Sequence, residues 1–181
     1  HHLRQEFTSL IKREIEHAHS GRPARIIIKN NSIADPEIIR SLYQASQAGV
    51  TIELIVRGVC CLKPGIPGLS SNIRVRSIVG RFLEHSRLYY FKNGGNPEVL
   101  IGSADLMERN LDRRVEVLCH VRDTGLKSHL HDVVLEKFLA DTETAMELDS
   151  DGSYKPVIAR GKMHNAQEIL LAAHSNRRPT L

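Results

Sequence analysis

Residues 24–57 read ARIIIKNNSIADPEIIRSLYQASQAGVTIELIVR, and this stretch decides the fold class. Its first part, Ala24 to Lys29, is a short unbroken apolar run built on three isoleucines, the pattern of a parallel strand buried on both faces. Asp35-Pro36 then supplies an N-cap and a first-turn proline, and Ile38, Ile39, Leu42 and Ala45 recur at helical spacing. Gly49 closes that helix, and Thr51 to Arg57 is a second strand. Strand, helix and strand joined by short connections predict a βαβ unit with a right-handed crossover. Ligands of such open sheets gather beyond the carboxyl ends of the strands, and Arg57 stands at one such end, directly before Gly58.

Upstream, Leu3, Phe7, Leu10, Ile11, Ile15 and Ala18 mark an amphipathic helix that ends before Gly21. Downstream, Gly58 to Ser71 is a loop punctuated by Pro64, Gly65, Pro67 and Gly68, and Asn72 to Ile78 alternates like a strand. Arg87 to Lys92 and Glu98 to Ile101 flank Asn93-Gly94-Gly95-Asn96, a hairpin signal. Arg113 to Val121 reads as a further strand by its alternation. Asp123 caps a helix carrying Leu126, Leu130, Val133, Val134 and Phe138. Asp149 to Tyr154 reads as a solvated linker, and Met163 to His174 as a short helix. The predicted class is α/β, a mixed β-sheet flanked by α-helices.

The chain has 181 residues, 41% of them hydrophobic and 25% charged, which is enough for one well-formed core. A net charge of +4 tilts the surface toward anions without indicating nucleic acid, and 4% aromatic residues with no tryptophan leave little for a base-stacking platform. No apolar run approaches the roughly 20 residues of a membrane span, so no transmembrane segment is expected. Three cysteines without a C-x-x-C spacing fit neither a disulfide framework nor a zinc site, and a reducing cytoplasm is expected. His1-His2 in place of an initiator methionine reads as the remnant of a tag on a fragment, and those two histidines are excluded as ligands.

The chemistry concentrates in SIVGRFLEHSRLYYF, residues 77–91. Gly80 permits a sharp turn, His85 can titrate near neutral pH, and Arg87 begins an apolar strand. With strand spacing His85 and Arg87 share a face, a proton donor beside a fixed positive fork. Glu84 points the other way and is expected to find a salt bridge elsewhere. Phosphoryl transfer asks mainly for positive charge around oxygens that gain charge, which arginine supplies two bonds at a time. Arg57, Arg87 and Arg114 are read as phosphate ligands, and Arg81, Arg109 and Arg113 as solvated surface residues. Ser103 either hydrogen-bonds a phosphate or caps its turn. His129 and His131 are read as surface residues, and no acidic cluster marks a dedicated metal site.

His85-x-Arg87, a hairpin, and then Gly102-Ser103-Ala104-Asp105 through Arg113-Arg114-Val115-Glu116-Val117 resemble one half of the phospholipase D superfamily, in which two such halves build one site. More narrowly, Asp35-Pro36-Glu37-Ile38-Ile39, Leu54-Ile55-Val56-Arg57-Gly58-Val59-Cys60-Cys61-Leu62, the run Asn72 to Arg87, and Ser103-Ala104-Asp105 resemble the last catalytic domain of bacterial polyphosphate kinase. The resemblance implies a phospholipase D-like half spanning residues 21–141, preceded by the helix of residues 1–20 and followed by a linker and helix, 142–181, packing on the same domain. It implies a kinase in which ATP phosphorylates a histidine of a preceding domain, absent here, which passes the group to polyphosphate. His85 would then be the acid/base histidine, and Arg57, Arg87, Ser103 and Arg114 would bind ATP or polymer phosphates.

The implied cofactors are ATP/ADP and Mg²⁺ arriving with the nucleotide; the implied partners are polyphosphate, the missing N-terminal domains and a second copy in a homo-oligomer. The implied location is cytoplasmic, with peripheral attachment to the inner membrane left open. Arg87 in place of the superfamily's lysine, and Lys92 where its aspartate is expected, argue against a phosphodiesterase. Two other readings remain: a phospholipase D-like hydrolase pairing two copies, and a non-catalytic module that binds polyanions.

Overall fold

A computed structural model describes residues 3–159 and 161–175; His1 and His2 lie outside the described residues. One eight-stranded mixed sheet organises the chain, with strands in the order β6-β5-β4-β1-β2-β3-β7-β8. Its centre is the predicted βαβ unit: β1 (Arg25–Asn30), α2 (Pro36–Gln47) and β2 (Thr51–Val56), with β1 and β2 parallel in the register Arg25↔Thr51 to Asn30↔Val56. β3 (Ile73–Ile78) adds in parallel to β2. β4 (Arg87–Phe91), β5 (Glu98–Gly102) and β6 (Leu118–Val121) extend the other edge antiparallel, and β4 and β5 are joined through a tight turn at Asn93–Gly95.

The unbroken isoleucine run follows from cores on both faces of the sheet. Ile26 and Ile28 pack into one, with Leu54, Tyr89, Phe91 and the stripe Phe7, Leu10 and Ile11 of α1 (Leu3–His19). Ile27 packs into the other, with Leu88, Tyr90, Leu135 and Phe138. All three isoleucines are fully buried, each worth about 1.5–3 kcal/mol on the scale of area removed from water. Asp35 caps α2 by accepting from the backbone N–H of Glu37 and Ile38, both at 3.0 Å, and Gly49 turns the chain out at a φ of +91°, where a side chain would be strained.

The helical run after Asp123 comprises α3 (Thr124–Ser128), a wider π-type segment His129–Leu135 and α4 (Glu136–Leu139). Four expectations change. The segment Arg113 to Val121 is not one strand: Arg109–Arg113 forms a π-type turn, and only Leu118–Val121 pairs with β5. Its alternation does not mark a core face, since Val115 and Val117 are exposed and Glu116 is held by the neighbouring turn. The supposed linker is the tip of a hairpin between β7 (Ala145–Leu148) and β8 (Tyr154–Pro156), with β7 antiparallel to β3. These two short strands, β8 at the edge and β7 beside it, bury only Ala145 and Leu148, too few residues to leave a periodic signal. The last described helix, α5, is Ala166–Ser175 rather than Met163 to His174. His131 is half-buried, its ring centroid 4.3 Å from that of Tyr90, so it is a packing residue rather than a purely surface one.

Candidate functional site

The mixed topology brings four chain segments to one rim of the sheet. β1 and β2 run toward that rim and end at Asn30 and Val56; β4 starts there at Arg87, which pairs with Gly102 at the end of β5. The residues just past or at these ends, Asn31, Arg57, Arg87 and Ser103, therefore meet although up to 72 positions separate them in the chain. They line a cleft of about 570 Å³ together with His85, Asp105, Arg109, Asn110, Arg114 and Glu116. All five residues picked out by sequence, Arg57, His85, Arg87, Ser103 and Arg114, border this one cavity. Arg109, taken as a solvated residue, borders it as well, whereas Arg113 pairs with Glu108 at 2.7 Å on the surface and Arg81 lies over the Phe82 ring.

Sequence reasoning missed what holds these groups. The Asp105 carboxylate, 6% exposed, accepts from the Asn31 backbone N–H at 2.8 Å and the Asn31 amide at 3.3 Å, and from Nε and Nη2 of Arg87, each at 3.2 Å. Asn31 in turn offers its Oδ1 to Nε of Arg57 at 2.7 Å. Arg87 completes the chain: Nη1 donates to the His85 carbonyl at 2.9 Å and lies 2.9 Å from Nδ1 and 3.4 Å from Nε2 of the same residue. Contact with both ring nitrogens puts the guanidinium across the imidazole rather than at the end of one lone pair. An unbroken run of polar contacts, Arg57–Asn31–Asp105–Arg87–His85, thus fixes two forks and one imidazole relative to each other.

Burial pushes the Asp105 carboxyl up, but the hydrogen bonds from Arg87 and Asn31 outweigh it and hold the group below the usual carboxylate range. The only sequence signal for Asp105 is its place two residues past Ser103 in the Gly102-Ser103 turn. Ser103 is engaged in that turn: its hydroxyl donates to Glu116 and accepts from the Val117 N–H at 3.1 Å. Glu84 turns away from His85, as expected of neighbours in an extended chain, and pairs with Lys29 at 2.9 Å. Burial pulls the Lys29 ammonium down from the ordinary lysine range, with Glu84 opposing.

The cleft is poorly made for a divalent cation. Both Asp105 oxygens are occupied by Arg87 and Asn31, and the two Glu116 oxygens accept from Ser103 and from the Asn110 amide at 2.7 Å. Among the described residues no group of three or more His, Cys, Asp or Glu could hold a metal, and no described helix is long and apolar enough to cross a membrane. The free capacity is cationic. Among the described residues the side chains of Arg114 and Arg109 have no hydrogen bond or ion pair, and Arg57 spends only Nε on Asn31. These forks, with an exposed His85, suit a ligand carrying several phosphate groups.

Residues 1–167 match the family described as polyphosphate kinase C-terminal domain 2. A polyphosphate kinase of Thermosynechococcus vestitus is 57% identical over 153 residues, 84% of this chain and 21% of that protein. One of Pseudomonas aeruginosa is 51% identical over 171 residues, 93% of this chain and 25% of that protein. The chain thus spans about a quarter of the length of these relatives. The crystal structure of polyphosphate kinase from Porphyromonas gingivalis superposes with a TM-score of 0.92 at 41% identity, over 97% of this chain and 27% of that one. The phospholipase D family member Nuc from Salmonella typhimurium, 16% identical, superposes with a TM-score of 0.52 over 75% of this chain and 89% of its own, which extends the likeness of fold to that superfamily. On the match of residues 1–167 and on relatives above half identical, the chain belongs to the polyphosphate kinase C-terminal domain 2 family.

Proposed function

We propose that this chain is the C-terminal catalytic portion of a polyphosphate kinase that moves the terminal phosphoryl group of ATP, reversibly, to the end of polyphosphate. The carrier is a histidine on a preceding domain. What supports the reading is one observation: His85 and the forks of Arg57, Arg87 and Arg114 border a single cleft at the carboxyl ends of β1 and β2. In the forward step the bond between the γ-phosphorus and its bridging oxygen breaks, and a bond to the carrier imidazole forms. The bridging oxygen leaves with ADP, gains charge and takes a proton from His85; in reverse His85 recovers it. Arg57 and Arg114 reach the non-bridging oxygens, where charge also gathers.

Arg87 touches His85 and is itself tied to Asp105, so it sets the position of the imidazole. Ser103 cannot donate to a phosphate while its hydroxyl is given to Glu116, and its part is to hold the turn. Both cleft carboxylates are already bonded, so Mg²⁺ would be held by the nucleotide and by parts of the enzyme outside this chain. Residues 21–141 carry the groups of the half-site; the remaining domains complete it, in a cytoplasmic homo-oligomer. The test is His85→Ala in the full-length enzyme. Synthesis from ATP should fall by at least about 10²-fold, as for loss of a general acid, with the fold intact. Turnover like that of the parent enzyme would refute the assignment.

A further inference from the structure

The loop of residues 79–86, which carries His85, has almost no apolar anchorage: Val79 and Leu83 are 73% and 75% exposed. Polar groups hold it from behind. Lys29 of β1, 3% exposed, donates to Glu84 at 2.9 Å and to the Ser86 hydroxyl at 2.8 Å, and sits 4.6 Å above the Phe138 ring. Gln167, in the first turn of α5 and 5% exposed, makes three further bonds. Its Nε2 donates to the Phe82 carbonyl and to Glu84, both at 2.8 Å, and its Oε1 accepts from the Phe82 N–H at 3.0 Å. The loop is pressed so closely on this amide that a Cβ built at Gly80 would lie 2.5 Å from Gln167 Oε1. The start of α5 is itself located by Asp141, whose carboxylate accepts from the Ala166 N–H at 2.7 Å. Glu84 joins the two supports, one oxygen on Lys29 and the other on Gln167.

We propose that Gln167 and Lys29 are positioning residues of the phosphoryl-transfer site, and that α5 is the backstop against which the His85 loop is set. This rests on the reading of His85 given above. Neither residue borders the cleft, and the Gln167 side chain bonds only Phe82 and Glu84, so its effect reaches the substrate through the loop that carries His85. The dependence should then be on the chemical step and not on ATP capture. A misplacement of the order of 1 Å costs about 10²-fold in rate when the displaced group acts in that step.

The experiment uses the full-length polyphosphate kinase. Gln167→Ala should lower kcat for polymer synthesis by about 10–100-fold with KM for ATP within about twofold. Hydrogen exchange of the peptide spanning residues 79–86 should accelerate while that of β1 stays unchanged. Gly80→Ala perturbs the same contact from the other side, by crowding rather than by removing a partner, and serves equally if Gln167→Ala does not fold. Since removing the amide also removes the crowding, the double variant should be no slower than Gln167→Ala alone. A parental kcat in Gln167→Ala and Gly80→Ala, unchanged exchange of the loop, or additive losses in the double variant would overturn the proposal. His85→Ala is run in parallel: if it retains turnover, the assignment of His85 fails, whereas an inactive His85→Ala with full activity in both loop variants sinks the positioning role alone.

Discussion

Replacing Asp105 by asparagine keeps the shape of the residue at the middle of the cleft's polar run and removes its charge. Oδ1 receives the Asn31 N–H and Arg87 Nε, and Oδ2 receives the Asn31 amide and Arg87 Nη2. An asparagine can keep its oxygen on one pair of donors, but its NH₂ must then face the other pair, so two of four bonds are lost. One of these is to a guanidinium, a type worth about 1.5–3 kcal/mol; the other, from the Asn31 amide to the carboxylate, is long at 3.3 Å and adds only about 0.5 kcal/mol. The side chains of Arg87 and Asp105 are 10% and 8% exposed, so water replaces little of this, although the open cleft lets Arg87 relax. The loss comes to about 2–3 kcal/mol, and at about 2–4 °C per kcal/mol for a chain of this size the midpoint of thermal unfolding should fall by about 5–10 °C. The assay is circular dichroism of parent and variant between pH 7 and pH 3. The folded carboxyl is held below its unfolded value near 3.9, so its stabilisation is complete above that pH and is lost as pH falls through the folded value. The gap between the two proteins should therefore be constant from pH 7 to about pH 5 and close below about pH 4. A midpoint within 1 °C of the parent at pH 7, or a gap undiminished at pH 3, would refute the reasoning.

Gly58→Ala brings a Cβ to 2.8 Å from the Asn31 carbonyl oxygen, and neither backbone can yield freely. A loss of about 1–3 kcal/mol is expected in urea titrations, as for overpacking. Asp141→Ala removes the acceptor of the Glu143, Thr144, Ala145 and Ala166 N–H groups, so β7 and α5 should both loosen; limited proteolysis should cut between residues 141 and 166 before the parent is touched. For polyphosphate binding followed by calorimetry, Arg114→Ala should weaken affinity about 2–5-fold, the worth of an exposed cation, and the difference should shrink as salt is raised from 50 to 300 mM. Arg57→Ala should weaken it more, because Asn31 holds that fork in place before the ligand arrives.

The parts of the fold legible in the sequence are those whose signal is local. The isoleucine run of β1 faces two cores, the Asp35-Pro36 start of α2 is a cap with measurable bonds, and Gly49 sits at a positive φ. Each can be read within a dozen residues. β7 and β8 could not be, because their strandedness comes from the edge of β3 and not from their own pattern. The stretch after Arg113 misled for the opposite reason. It alternates, but Glu116 points to Ser103 and Asn110 while Val115 and Val117 face outward, so the period belongs to a segment fastened along the cleft.

The same distinction separates the groups of the site from their supports. Histidine and arginine announce themselves by residue type, and the positions of His85, Arg57 and Arg87 relative to strand ends can be reasoned from spacing. Asn31 and Asp105 meet across 74 residues, and Lys29 and Gln167 converge on Glu84 from opposite ends of the chain. Their association is decided by register. Arg87 shares a face of β4 with Tyr89 and Phe91, which are fully buried in the core under α1, and Leu88 and Tyr90 fill the other core. A slip of β4 by one residue would exchange the two sets and carry Arg87 away from Asp105, at the cost of refilling both cores. The packing that stabilises the centre of the sheet is therefore also what places the Arg87 fork beneath the His85 imidazole, so substitutions in the β4 core should disturb the cleft well before they unfold the chain.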